Sequence, residues 1–95
     1  MKPNKLIVGV LTYEIRYVDF VDAQNSCGEC EDTTGVIKIK KGMPEDFTRD
    51  TIFHECLHAT NHSWSESEVV GATRLLLMVC RDNPWLKDVL FPRQK

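Results

Sequence analysis

Thr51-Ile52-Phe53-His54-Glu55-Cys56-Leu57-His58-Ala59 sets three strongly polar side chains into an otherwise apolar stretch. Ile52, Phe53, Cys56, Leu57 and Ala59 fall at spacings that wrap most of the way round an α-helix. A helix apolar nearly all round is a buried one. Polar groups on a buried helix need partners, and these are spaced to share one. His54 and His58, four positions apart, lie on one face and can aim two imidazoles at a single cation. Glu55 sits about a quarter turn away, where it can reach a water held by that cation and act as general base.

The rest of the composition frames a small soluble domain. A chain of 95 residues makes one domain, taken as residues 1–95. At this size only roughly 60–65% of the unfolded surface is buried, so a bound metal would be a welcome source of stability. The 42% hydrophobic and 27% charged fractions are ordinary for a globular protein. A net charge of −2 offers no electrostatic case for nucleic acid or an anionic membrane. The basic start, Met1-Lys2-Pro3-Asn4-Lys5, precedes an apolar run, Leu6–Leu11, that is too short for a signal peptide, and no small-residue cleavage site follows it. No run approaches transmembrane length. The expected location is the cytoplasm. The four cysteines agree, with Cys56 and Cys80 at apolar helical positions where free thiols are common.

Leu6–Leu11 and Tyr13–Val21 are rich in β-branched and aromatic residues and read as one long or interrupted strand, or as a hairpin turning near Gly9. Ile15 and Tyr17 share one face; Glu14, Arg16 and Val18 share the other. The polar segment Asp22–Gly35 reads as loop. Val36–Lys40 alternates as a strand whose lysines suit a sheet edge. The pentad helix is expected to start between Pro44 and Thr48 and to run to about Thr60. A turn over Asn61–Ser65 then leads to a second helix, about Ser65 to Arg81, with Val69, Ala72, Leu75, Leu76, Val79 and Cys80 facing inward. Asp82-Asn83-Pro84 ends it. Trp85–Phe91 reads as a short last helix that packs Trp85, Leu86 and Leu90 onto the body.

A catalytic zinc site needs three protein ligands and a water. The two helices form a hairpin, so residues equidistant from the turn stand level. Reflecting His58 through the turn lands on Glu66 or Glu68, depending on where its centre falls. Ser63-x-x-Glu66 and Ser65-x-x-Glu68 are both possible capping boxes; the second would give Glu68 a structural task, which favours Glu66 as the third ligand. His62 continues the His54–His58 line. Imidazoles about 6 Å apart along a straight helix cannot all meet one ion, so His62 reads as a turn residue.

Taken together, Gly28, the Val36–Lys40 strand, the pentad with its lead-in, and the acidic helix start Ser65-Glu66-Ser67-Glu68-Val69-Val70 resemble the minimal zincin-like metallopeptidases of the gluzincin type. The resemblance is to small phage and prophage proteins near the ImmA/IrrE and SprT-like groups, and spans about Gly28 to Pro84. It implies an α+β fold: a small N-terminal antiparallel sheet packed on an αα-hairpin that carries the HExxH motif, with a short C-terminal helix. It also implies one Zn2+ held by His54, His58 and Glu66 (or Glu68), Glu55 as catalytic base, and a peptide or protein substrate lying along an edge strand, for which Val36–Lys40 is the candidate. The metzincin pattern would need a histidine at position 64, which is Trp64.

Cys27-Gly28-Glu29-Cys30 is a CxxC, but there is no second pair to complete a zinc knuckle. The acids around it, Glu29, Glu31 and Asp32, oppose the low thiol pKa that redox chemistry requires. A structural zinc would be closed by four ligands, commonly with cysteine. Cys56 points off the His54/His58 face, so an open site is expected. The functional expectation is a zinc-dependent peptidase that hydrolyses peptide bonds by a metal-activated water. The alternative is an inactive, metal-stabilised protein-binding module.

Overall fold

The computed structural model describes residues 2–21 and 27–92. It is an α+β fold with a four-stranded sheet followed by helices. Strands β1 (Lys5–Val8) and β2 (Leu11–Val18) form an antiparallel hairpin. Its two-residue loop begins at Gly9, whose φ of 60° lies in the left-handed region that glycine enters without strain. Strands β3 (Gly28–Glu31) and β4 (Val36–Lys40) form a second hairpin.

The two hairpins join through a parallel pairing of β2 with β4, in the order β1-β2-β4-β3. The sheet is therefore mixed, not wholly antiparallel. Val36–Lys40 is also an interior strand rather than an edge. Lys38 and Lys40 are there because that side of the strand faces solvent, with Lys38 paired to Glu31 at 3.2 Å. The edge belongs to β3, which was expected to be loop. Its sequence Gly-Glu-Cys-Glu alternates two acids with a glycine and a cysteine, and so short a segment without a large apolar residue carries too little pattern to announce a strand. The rest of the expected loop, residues 22–26, lies outside the described residues.

One face of the sheet makes the core. Tyr13, Ile15, Ile37, Ile39 and Ala59 are buried together, with Leu6, Val8, Tyr17, Cys30, Met43 and Ile52 against them. Period-two alternation explains the selection: on β2, Tyr13 and Ile15 are buried whereas Glu14 and Arg16 are exposed. The register aligns Ile15 with Ile37 and Cys30, and Tyr17 with Ile39 and Gly28. Helix α1 (Glu45–Thr60) lies across this face and packs on β3, β4 and β1. It has no polar side wide enough to count as amphipathic, and residues 51–59 are all at least half-buried.

Helix α2 (Glu66–Asp82) returns antiparallel to α1. Its start is the expected capping box: the Glu68 N–H donates to Ser65 Oγ at 3.2 Å, and the Ser65 N–H donates to Glu68 Oε1 at 2.9 Å. Its packed face is Val69 and Thr73, both buried, flanked by half-buried Val70 and Leu77. Leu75, Leu76, Val79 and Cys80 are exposed instead of inward-facing. The helix is apolar on two sides, and α1 covers only one of them. Helix α3 (Leu86–Leu90) exists, but Trp85 and Leu90 are exposed and only Leu86 is half-buried. Among the described residues no helix is long and apolar enough to cross a membrane.

Ile37 is fully buried in the strand that joins both hairpins. Ile37→Ala should cost about 2–5 kcal/mol and lower Tm by roughly 10 °C or more. Leu75→Ala should stay within about 0.5 kcal/mol. Paired thermal melts would check this; an equal loss at Leu75 would contradict the assignment of the packed face of α2.

Candidate metal centre

The site forms where α1 and α2 face each other one turn either side of the connecting loop. His54 and His58 project from the same side of α1, their rings 4.8 Å apart by centroid and inclined at 68°. Their Nε2 atoms are 3.2 Å apart. Glu66, the first residue of α2, brings Oε1 to 2.7 Å from His54 Nε2 and 2.8 Å from His58 Nε2. Ligand atoms bound tetrahedrally to zinc at about 2.0–2.1 Å lie roughly 3.3 Å from one another. The observed separations are close to that triangle, so these three side chains fit a divalent cation.

The chemistry of the donors supports the fit. Three electron-rich atoms converge on one point, and a cation satisfies all three lone pairs at once. Burial works against ionisation of Glu66, yet the hydrogen bonds and charges of His58 and His54 overcome it and hold its pKa below the usual carboxylate value. The two imidazoles are sheltered, at 19% and 24% side-chain exposure, whereas Glu66 is 64% exposed. The triad thus opens outward, leaving room for a further ligand. Of the two acids, Glu66 stands with the histidines in a group that could hold a metal ion, and Glu68 is engaged in the cap.

Glu55 is placed by packing. It is buried at 6% exposure and points toward the sheet side of the cleft. Burial pushes its pKa upward, partly offset by His54 and His58. It fits there because β3 begins with a glycine. A Cβ on Gly28 would come within 2.7 Å of Thr51 Cγ2, 3.0 Å of Glu55 Cγ and 3.1 Å of Glu55 Oε2. The row Tyr17–Ile39–Gly28 therefore ends in a gap that the carboxyl group occupies.

The third histidine and the cysteines fall outside the triad, as expected for His62 from its place in the turn. His62 lies in the turn, where its Nε2 donates to the Ala59 carbonyl at 2.8 Å and sits 3.5 Å from Asp32 Oδ1. Cys27 and Cys30 are free thiols, as are Cys56 and Cys80. Burial first, and then Asp32, push the Cys30 thiol up to about 12, which removes it from redox chemistry at neutral pH. Burial also raises Cys56.

Two contributors were not legible as site residues. Thr51, whose hydroxyl donates to the Phe47 carbonyl at 2.9 Å, and Thr73 of α2 border a cavity of about 310 Å3 that runs along His54, Glu55 and Glu66. Their register with the histidines, at i−3 and opposite, was the only available signal. No protein-family model, curated protein or solved structure matches the chain.

Glu66→Gln should cut zinc affinity by more than the roughly 10–100-fold that loss of an outer partner costs, while Glu68→Gln should keep stoichiometric zinc with a slightly lower Tm. Metal analysis after dialysis separates the two. In the unaltered protein, zinc at about 100 times its Kd should add ~2.7 kcal/mol of stability, removed by chelator. Gly28→Ala should lower Tm even with zinc withheld, because the new methyl group collides with α1.

Proposed function

We propose that this chain is a zincin-like, zinc-dependent peptidase that hydrolyses peptide bonds, with His54, His58 and Glu66 holding the ion and Glu55 acting as general base. The observation that carries the reading is a three-donor cluster with an open side and a buried carboxyl group on the adjacent helical position. A structural zinc would be enclosed by four ligands, commonly including cysteine; here all four cysteines are free of the cluster.

Zinc bound at such a triad lowers the pKa of a coordinated water toward neutrality and polarises a carbonyl group. Glu55 takes the proton of the attacking water and passes it to the leaving amine. Burial raises its pKa, and a carboxylate made more basic is a better acceptor for that proton.

The open edge of the sheet supplies a place for the peptide. The Lys40 N–H donates to the Cys27 carbonyl at 2.9 Å. With the β3–β4 register, this makes Glu29–Lys38 and Glu31–Val36 the hydrogen-bonded pairs. The backbone groups of Gly28 and Cys30 therefore point away from β4, toward an edge that no other described strand occupies. An extended peptide added there would bond to those two residues, and both of them border the cavities that contain Glu55 and Glu66. This moves the substrate strand from Val36–Lys40, which is interior, to β3.

Glu55→Gln tests the reading. It should keep one zinc per chain and lose peptide cleavage by at least about 100-fold. Unchanged cleavage would refute Glu55 as base. Zinc binding with no cleavage of a peptide library by the unaltered protein would favour the protein-binding module.

A further inference from the structure

The cleft does not end at the histidines. Beyond Glu55 and Glu66 it continues into a second arm of about 250 Å3, with Cys30, Asp32 and His62 on one side and Glu55, His58 and Glu66 on the other. We infer that this arm holds a cationic group of the bound peptide, a lysine or arginine side chain or the α-ammonium of a chain start, with Asp32 as its anchor. The inference rests on the peptidase reading and deepens it to a substrate class.

Asp32 is unusually well fixed for a residue in a hairpin loop. The Tyr13 hydroxyl donates to its Oδ1 at 3.1 Å and the Cys30 thiol at 3.6 Å, and His62 Nε2 is 3.5 Å from the same oxygen. Tyr13 is itself 2% exposed and belongs to the core, so the carboxylate is tied to the rigid part of the molecule. All three neighbours approach Oδ1. Among the described residues, no hydrogen bond or ion pair engages Oδ2. The side chain is 47% exposed, which leaves that oxygen an approach from the cleft.

Charge balance gives the arm its sign. Three acids, Asp32, Glu55 and Glu66, line it, and no lysine or arginine is among its lining residues. His62 Nε2 directs its proton at the Ala59 carbonyl at 2.8 Å and lies farther, 3.5 Å, from Asp32 Oδ1. The field of Asp32 is felt by its neighbours: after burial, it contributes to raising both Cys30 and Tyr13. A cation is the group that such a position stabilises. The other arm carries Asp50 and Arg74 together and so selects neither sign.

The competing role for Asp32 is merely to accept the buried tyrosine's hydrogen bond. Asp32→Asn separates the two, since the amide oxygen still accepts from Tyr13 while the charge is gone. Binding is measured on zinc-loaded Glu55→Gln protein, so that no cleavage is needed. The probes are N-acetylated peptides that differ only in lysine against norleucine at each position, and a norleucine peptide with a free α-amino group. Lysine at one position, or the free amine, should tighten binding roughly three- to tenfold. The gain should vanish in the Asp32→Asn protein and shrink as salt rises from about 0.05 M to about 0.5 M. The peptide that shows the gain tells a side-chain cation from a chain start. Equal binding of cationic and neutral peptides, or a preference that survives Asp32→Asn, would overturn the inference and leave the peptide cleft standing. No binding of any peptide by zinc-loaded protein would overturn the cleft itself.

Discussion

The close approach of helix α1 to strand β3 governs most of this structure. A helix can lie tightly on a sheet only where the side chains beneath it allow, and at Gly28 there is no side chain at all. The gap accepts Thr51 and the Glu55 carboxyl group. It thereby buries an ionisable residue beside two imidazoles. The sheet thus acts on the site directly: its edge strand shapes the wall against which the proposed base rests. The same strand has backbone groups pointing outward at Gly28 and Cys30, which makes one glycine both a spacer and part of the proposed docking edge.

The second helix divides its labour at its first three residues. Glu66 turns inward to the histidines, and Glu68 turns back to close the capping box on Ser65. These tasks support each other. The cap fixes where α2 begins and at what angle, and that sets the reach of Glu66 across the hairpin. Negative charge in the first helical turn also suits the helix dipole, so the carboxylate is stabilised there before any cation is considered.

Much of this was readable from residue spacing. His54, Glu55 and His58 sit on a helix because the apolar residues around them repeat with helical period, whereas a capping box could be drawn for either acid and only the folded chain shows that Glu68 is the one that caps. The hairpin near Gly9 and both long helices lie within a residue or two of expectation. The sheet was harder. Strand β3 has four residues with no large apolar side chain, and its existence depends on pairing with β4, which is information held in another segment. Missing it turned an interior strand into an apparent edge and a mixed sheet into an antiparallel one. The inward face of α2 was misjudged for a related reason: Leu75, Leu76 and Val79 have the right spacing, but the partner needed to cover them is absent from α1's side. Asp32 carries no signal in the sequence because its significance comes from Tyr13 and His62, which only the fold brings to it.

The proposed ligands are close neighbours along the chain, with His54 and Glu66 only 12 positions apart, whereas the wall behind Glu55 comes from a distant hairpin. Grasping an ion and aiming the base are therefore separable events in the life of the molecule. The helical hairpin closes a short loop, so it would collect the proposed metal with little entropic penalty. The proposed chemistry would in addition require β3 to be seated. In such a protein metal content would report on the hairpin, and turnover would report on the integrity of the sheet edge.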